Sequence, residues 1–211
     1  VNFIDGLDGL AVGVVAIASG CFFAFAYLLA VTNGFTRAGA PSLMTVILIG
    51  LCIGFLPHNS NPARMFMGDS GSMLLGLILA ASAITLTGQI DANALSAESI
   101  GPALLPLFLP FAVLAIPLLD LVLAILRRTS SGKSPFAPDK LHLHHRLLAS
   151  GNSQNRTAIV LYLWTATFAI PVTVAAFAPI WIAFLVAMLL AAIAFYARKR
   201  TLDRNGNLLN V

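Results

Sequence analysis

The apolar residues of this chain fall in long unbroken runs, not in the alternation of a half-buried strand or the one-sided stripe of a surface helix. A helix that crosses a bilayer needs roughly 20 mostly apolar residues. Six segments approach or meet that length, near residues 10–31, 38–56, 71–88, 100–126, 157–177 and 180–197. Pro41 stands near the start of the second, where a missing N–H is tolerated. The fourth carries Pro102, Pro106, Pro110 and Pro117 and is expected to be bent or broken. So few residues separate the last two that a tight hairpin is expected. No internal repeat is visible. The pattern predicts an all-α polytopic membrane protein with about six transmembrane helices, one domain over residues 1–211.

Composition agrees with this. Of 211 residues, 59% are hydrophobic and 9% charged, against about 45–50% and about 25% in soluble domains. Cys21 and Cys52 both lie inside apolar runs, which suggests packing and neither a disulfide framework nor a thiolate metal site. The formal charge of +4 would hint at an acidic partner in a soluble protein, but here its distribution says more, and no nucleic-acid partner is expected. If all six segments span, one side holds residues 1–9, 57–70, 127–156 and 198–211. That side carries every Lys and Arg of the 12 except Arg37. Basic residues concentrate in cytoplasmic loops, so this side and the C-terminus are expected to face the cytoplasm. The chain opens without Met and runs straight into a polar motif, so upstream sequence is expected to be missing.

The unusual polar clusters fall on that same side. The first is Asn2-Phe-Ile-Asp5-Gly-Leu-Asp8-Gly, at the mouth of the first span. In a helical segment Asp5 and Asp8 share a face, and two carboxylates so close call for a cation or a basic partner. Capping of the helix explains one Asp easily and two less well. The second cluster runs from Asn59 through Arg64, Phe66, Gly68, Asp69 and Gly71 to Ser72. Gly68 and Gly71 permit close backbone approach, and the free N–H groups of the helix start attract phosphate. A carboxylate such as Asp69 is then needed to hold Mg²⁺, which is commonly bound by one or two carboxylates plus substrate phosphates and water. A capped helix after a turn explains Gly-Asp-Ser-Gly equally well. The third cluster, Pro138-Asp139-Lys140-Leu-His142-Leu-His144-His145-Arg146, holds three of the four histidines. Its spacing fits neither a helical two-His zinc pair nor a Cys/His finger. A cationic, hydrogen-bonding strip for a polyphosphate fits better, whereas a juxtamembrane loop attracting anionic lipid explains the lysines and arginines only. Asp120 lies within a span, where an acid is a functional candidate by default. Its closeness to Arg127 also allows a solvated or paired structural role. His58 has no assigned part.

In this order the three clusters resemble the polyprenyl-phosphate N-acetylhexosamine-1-phosphate transferase family (glycosyltransferase family 4). Residues 2–11 look like its Asp-Gly-Leu-Asp-Gly signature and residues 59–72 like its Asn-x-x-Pro-Ala…Phe-Met-Gly-Asp-x-Gly-Ser segment. The histidine stretch is similar to the WecA/TagO-type branch, and Phe55-Leu-Pro-His-Asn with His144-His145-Arg146 to its actinobacterial members. The resemblance implies a bacterial inner-membrane enzyme of ten or eleven spans, of which this chain is the C-terminal half and inactive alone. It implies transfer of N-acetylglucosamine 1-phosphate from UDP-N-acetylglucosamine to undecaprenyl or decaprenyl phosphate, releasing UMP, with Mg²⁺ as cofactor and Mn²⁺ as a substitute. Asp69 would be the metal ligand, and Asp5 and Asp8 catalytic-site carboxylates. Asn2, Asn59, Phe66 and Gly68 would line the nucleotide pocket, with Phe66 stacking on uracil. His144 and His145 would contact the diphosphate, with His142 and Arg146 beside them. The family's Asp-Asp pair has no counterpart here. A homodimer is compatible with such a chain.

Two other readings compete. The MraY-type branch, which uses UDP-MurNAc-pentapeptide, typically carries three consecutive histidines instead. A secondary transporter would place its polar residues near the bilayer midplane in interrupted helices, and here they gather at one face.

Overall fold

The computed structural model describes residues 1, 6–33, 39–88, 108–109, 111–113, 115–130, 132, 134, 147–148 and 152–206. Among them are six helices of 16 residues or more: α1 (Leu10–Asn33), α2 (Gly39–Asn59), α3 (Gly68–Gly88), α4 (Ala115–Ser130), α5 (Gln154–Ala175) and α6 (Ile180–Gly206). Five of these, all but α4, are long and apolar enough to cross a membrane, and the described residues contain no strand. In lipid every backbone N–H and C=O must be satisfied within the protein, which a helix does by itself. The side-chain hydroxyls follow the same rule. Ser19, Thr45, Ser82, Thr165 and Thr173 each donate to a carbonyl one turn back, at 2.8–3.2 Å.

The segment near 100–126 is described only in part. Its C-terminal portion is helical and runs past Leu126 to Ser130; of the four prolines on which the expected bend rests, Pro117 stands in the first turn of this helix, and Pro102, Pro106 and Pro110 lie outside the described residues. The other segments differ from expectation only at their ends. Helix α2 continues through Pro57 to Asn59, and Ser60 closes it with its N–H (2.8 Å) and hydroxyl (2.7 Å) on the Leu56 carbonyl. Helix α6 continues past the apolar window into the basic stretch that ends at Gly206. The tight hairpin between α5 and α6 is present, with the N–H groups of Phe177 and Ala178 on the Val174 carbonyl.

Helix α1 is the axis. It packs against α2, α3 and α5, and 44% of its apolar window is buried, against 11% for α6. The sequence explains this: α1 is rich in Ala, Gly and Ser, which let neighbouring backbones approach, whereas α6 presents Trp181, Phe184, Leu185 and Met188 outward. Phe22, Phe25, Val12 and Val15 of α1 form the core with Leu48 and Cys52 of α2, Leu86 of α3 and Leu161 of α5. At one end of the bundle Phe25 meets Phe177 of the α5–α6 turn, ring centroids 5.4 Å apart. At the other end lie the N-termini of α1, α3 and α5 and the C-terminus of α2, and there the polar residues collect.

Candidate functional site

The turn before α1 and the loop between α2 and α3 are bonded to each other. Asn59, 3% exposed, ends α2 and uses both ends of its carboxamide. Its Oδ1 accepts from the Gly9 N–H at 3.1 Å, and its Nδ2 donates to the Met65 carbonyl at 2.9 Å. Asp8, half-buried, accepts at Oδ2 from Asn61 Nδ2 (2.9 Å) and from the Ala63 N–H (3.3 Å). The His58 carbonyl takes the Arg64 and Met65 N–H groups at 2.8 and 3.0 Å, folding residues 58–65 into a compact turn that contains a cis Asn61–Pro62 bond. The aspartate signature and the Asn-x-Asn-Pro segment, some 50 residues apart in sequence, are therefore one structure.

Helix α5 supports this structure from behind. Tyr162 donates its hydroxyl to the Gly9 carbonyl at 2.5 Å, and its ring lies directly against Gly13, where a Cβ would stand 2.2 Å from the ring carbon Cζ. Only a residue without a side chain allows that approach. Two turns earlier, Gln154 Oε1 accepts from Asn61 Nδ2 at 2.7 Å, and Asn155 Nδ2 donates to the Asn61 carbonyl at 3.1 Å.

The loop then delivers Phe66, Gly68 and Asp69 to the start of α3. Phe66 is 79% exposed, its ring available to a flat partner. Gly68 is required for a reason other than the one its sequence suggests. Nothing stands within 4 Å of a Cβ built there, but its φ of +66° is a conformation that L side chains rarely adopt. At Gly71 the close neighbour is likewise not backbone but the Met67 side chain, 2.5 Å from a built Cβ. Asp69 sits exposed in the first turn of α3. Its backbone carbonyl takes the Ser72 hydroxyl at 3.1 Å, and its carboxylate receives no hydrogen bond from a described residue. Beside this loop α1, α2 and α3 line an open apolar recess of about 290 Å³ between Val12, Cys52, Phe55, Phe66 and Leu74.

Among the described residues no three His, Cys, Asp or Glu side chains cluster as a metal set. The donor chemistry still fits Mg²⁺, because one exposed carboxylate beside a helix start that attracts phosphate suffices when substrate oxygens and water complete the shell. Of the residues singled out by sequence, Asp8, Asn59, Phe66, Gly68 and Asp69 thus lie on one continuous turn-and-loop unit. Asn2, Asp5, His142, His144, His145 and Arg146 lie outside the described residues. Sequence reasoning missed Asn61, Gln154, Tyr162 and Gly13. Asn61 stood inside a motif already marked as polar, but nothing local announces the partners of the other three.

Residues 1–87 match the family model described as glycosyl transferase family 4. Over 170 residues, 80% of this chain and 42% of the relative, the sequence is 48% identical to the decaprenyl-phosphate N-acetylglucosaminephosphotransferase of Mycobacterium tuberculosis. It is 34% identical over 190 residues (90% and 48%) to the probable undecaprenyl-phosphate N-acetylglucosaminyl 1-phosphate transferase of Bacillus subtilis. Similarity extends at 35% over 165 residues (78% and 43%) to the phospho-N-acetylmuramoyl-pentapeptide-transferase of Halalkalibacterium halodurans. The chain spans less than half the length of these curated relatives. With a family model covering both glycine–aspartate segments and these relatives matching most of its length, the chain belongs to glycosyl transferase family 4.

Proposed function

We propose that this chain is part of a membrane enzyme that transfers N-acetylglucosamine 1-phosphate from UDP-N-acetylglucosamine to a polyprenyl phosphate, releasing UMP at the cytoplasmic face. The observation that carries the reading is the bonding of Gly9 and Asp8 to Asn59, Asn61 and Ala63, because it builds one site from the two segments that the family model covers. The 48% identity to the decaprenyl-phosphate N-acetylglucosaminephosphotransferase of Mycobacterium tuberculosis, against 35% to the muramoyl-pentapeptide enzyme, favours that sugar.

In this reading a lipid phosphate oxygen attacks the β-phosphorus of the nucleotide sugar and UMP departs. Such transfers depend on positioning and charge neutralisation more than on proton abstraction, and a lipid phosphate is already ionised near neutral pH. Mg²⁺ held by Asp69 would supply charge neutralisation at the diphosphate. Phe66 offers its exposed ring to uracil, and the N–H groups at the start of α3 face phosphate. Asp8 is a carboxylate of the catalytic site, and the apolar recess beside the loop suits the first prenyl units. His144 and His145 are assigned to the diphosphate, with His142 and Arg146 nearby, and Asn2 and Asp5 to the same cavity.

The test uses the full-length protein in lipid nanodiscs with decaprenyl phosphate, Mg²⁺ and either UDP-N-acetylglucosamine or UDP-MurNAc-pentapeptide. The expected result is stoichiometric UMP and lipid-linked N-acetylglucosamine by mass spectrometry with the first donor only. Product from the second donor alone, or no UMP from either, would overturn the reading.

A further inference from the structure

Asn61 joins Asp8 to helix α5. Its Nδ2 stands 2.9 Å from Asp8 Oδ2 and 2.7 Å from Gln154 Oε1, and its backbone carbonyl accepts from Asn155 Nδ2 at 3.1 Å. An ionised carboxylate only accepts hydrogen bonds, so the Asn61 atom that faces Asp8 is the NH₂ group. Its second N–H then points at Gln154, whose oxygen, not its nitrogen, must face Asn61. One charge thus orders two amides in series. In return, both described bonds to Asp8 fall on Oδ2, from Asn61 and from the Ala63 N–H at 3.3 Å, and Oδ1 receives none from a described residue. All three side chains are half-buried, so the charge-assisted bond is partly shielded from water.

We propose that Asn61 and Gln154 are positioning residues: together they fix the Asp8 carboxylate through Oδ2 and leave Oδ1 to the substrate side. The inference rests on the transferase reading, in which Asp8 belongs to the catalytic site. It extends that site to the first residue of α5, where the chain emerges from the histidine-bearing segment. Neither amide touches the reacting atoms, and both act through the aspartate.

The test compares Gln154→Leu with Gln154→Glu in the full-length enzyme. Leu removes the acceptor and leaves an Asn61 N–H unpaired, whereas Glu keeps an oxygen in the same place. Because misplacing a catalytic group by an ångström costs up to about 100-fold, Gln154→Leu should lower kcat by about tenfold or more. KM for UDP-N-acetylglucosamine should stay within about twofold and Gln154→Glu within about threefold of wild type. A wild-type kcat in Gln154→Leu, a loss carried by KM, or a Glu variant as impaired as Leu would overturn the proposal. Melting temperatures of Asn61→Ala, Gln154→Leu and the double variant read the contact without turnover. If the two residues are coupled, the second substitution costs less in the presence of the first. Additive shifts would overturn the relay. Coupled shifts in a protein that releases no UMP would uphold the relay and fault the transferase reading alone.

Discussion

Gly13→Ala is the smallest change expected to disturb the site, although Gly13 lies inside an apolar span and touches no polar group with a side chain. A Cβ at this position would stand 2.2, 2.3 and 2.4 Å from Cζ, Cε1 and the hydroxyl oxygen of Tyr162, far inside van der Waals contact. The ring cannot yield at its tip alone, because the overlap includes the ring carbons. Tyr162 must swing away and release the Gly9 carbonyl, which it now holds at 2.5 Å. Overpacking of this kind costs about 1–3 kcal/mol, and a lost hydrogen bond about 0.5–1.5 kcal/mol, so the variant should lose roughly 2–4 kcal/mol. Because Gly9 also donates to Asn59 at 3.1 Å, the shift reaches the Asp8 turn, and transferase activity should fall along with stability. The assay is thermal unfolding of the full-length protein in detergent, run as a cycle with Tyr162→Ala. In that background the clash is gone, so Gly13→Ala should cost little, and the two substitutions should be strongly coupled in the compensating sense. A Gly13→Ala protein as stable as wild type, or one destabilised equally with and without the Tyr162 ring, would refute the reasoning.

Asn59→Ala removes two bonds from a group 3% exposed. Leaving the Gly9 N–H and Met65 carbonyl unsatisfied should cost about 1–3 kcal/mol, read as a lower melting temperature, and an unchanged melting temperature would contradict the pinning role. Phe66→Ala, at 79% exposure, should leave melting unchanged but raise KM for UDP-N-acetylglucosamine about tenfold, the equivalent of one lost base stack. Steady-state kinetics with a normal KM would remove Phe66 from the nucleotide site. Asp69→Asn should abolish Mg²⁺-dependent exchange of UMP with the UDP-sugar, and normal exchange would take Asp69 out of the metal role.

The spans were legible because a bilayer imposes one rule that hydropathy reads directly. Helix ends were less legible, as α2 through Pro57 and the basic end of α6 show, because capping geometry and not apolarity decides where they stop. At the site, the aspartate and glycine clusters stood out as polar residues at the mouths of apolar helices. The sequence did not reveal that Asn59 would spend its carboxamide on Gly9 and Met65, or that Gly68 is set by its φ and not by a close neighbour. Nor did it reveal Gln154 and Tyr162, whose partners lie 93 and 153 residues away. A polar residue at the start of a span and a tyrosine within one look alike whether they support a site or only face lipid headgroups.

The central claim is that the Asp8 turn and the Asn59–Asp69 loop form one cation-dependent nucleotide site. A crystal structure of the full-length protein with UDP-N-acetylglucosamine and Mn²⁺ in place of Mg²⁺ tests it most directly through the anomalous signal of the metal. A peak is expected within bonding distance of the Asp69 carboxylate, with the diphosphate beside it and uracil on the Phe66 ring. A metal and nucleotide bound elsewhere, with Asp69 and Phe66 still facing solvent, would contradict it.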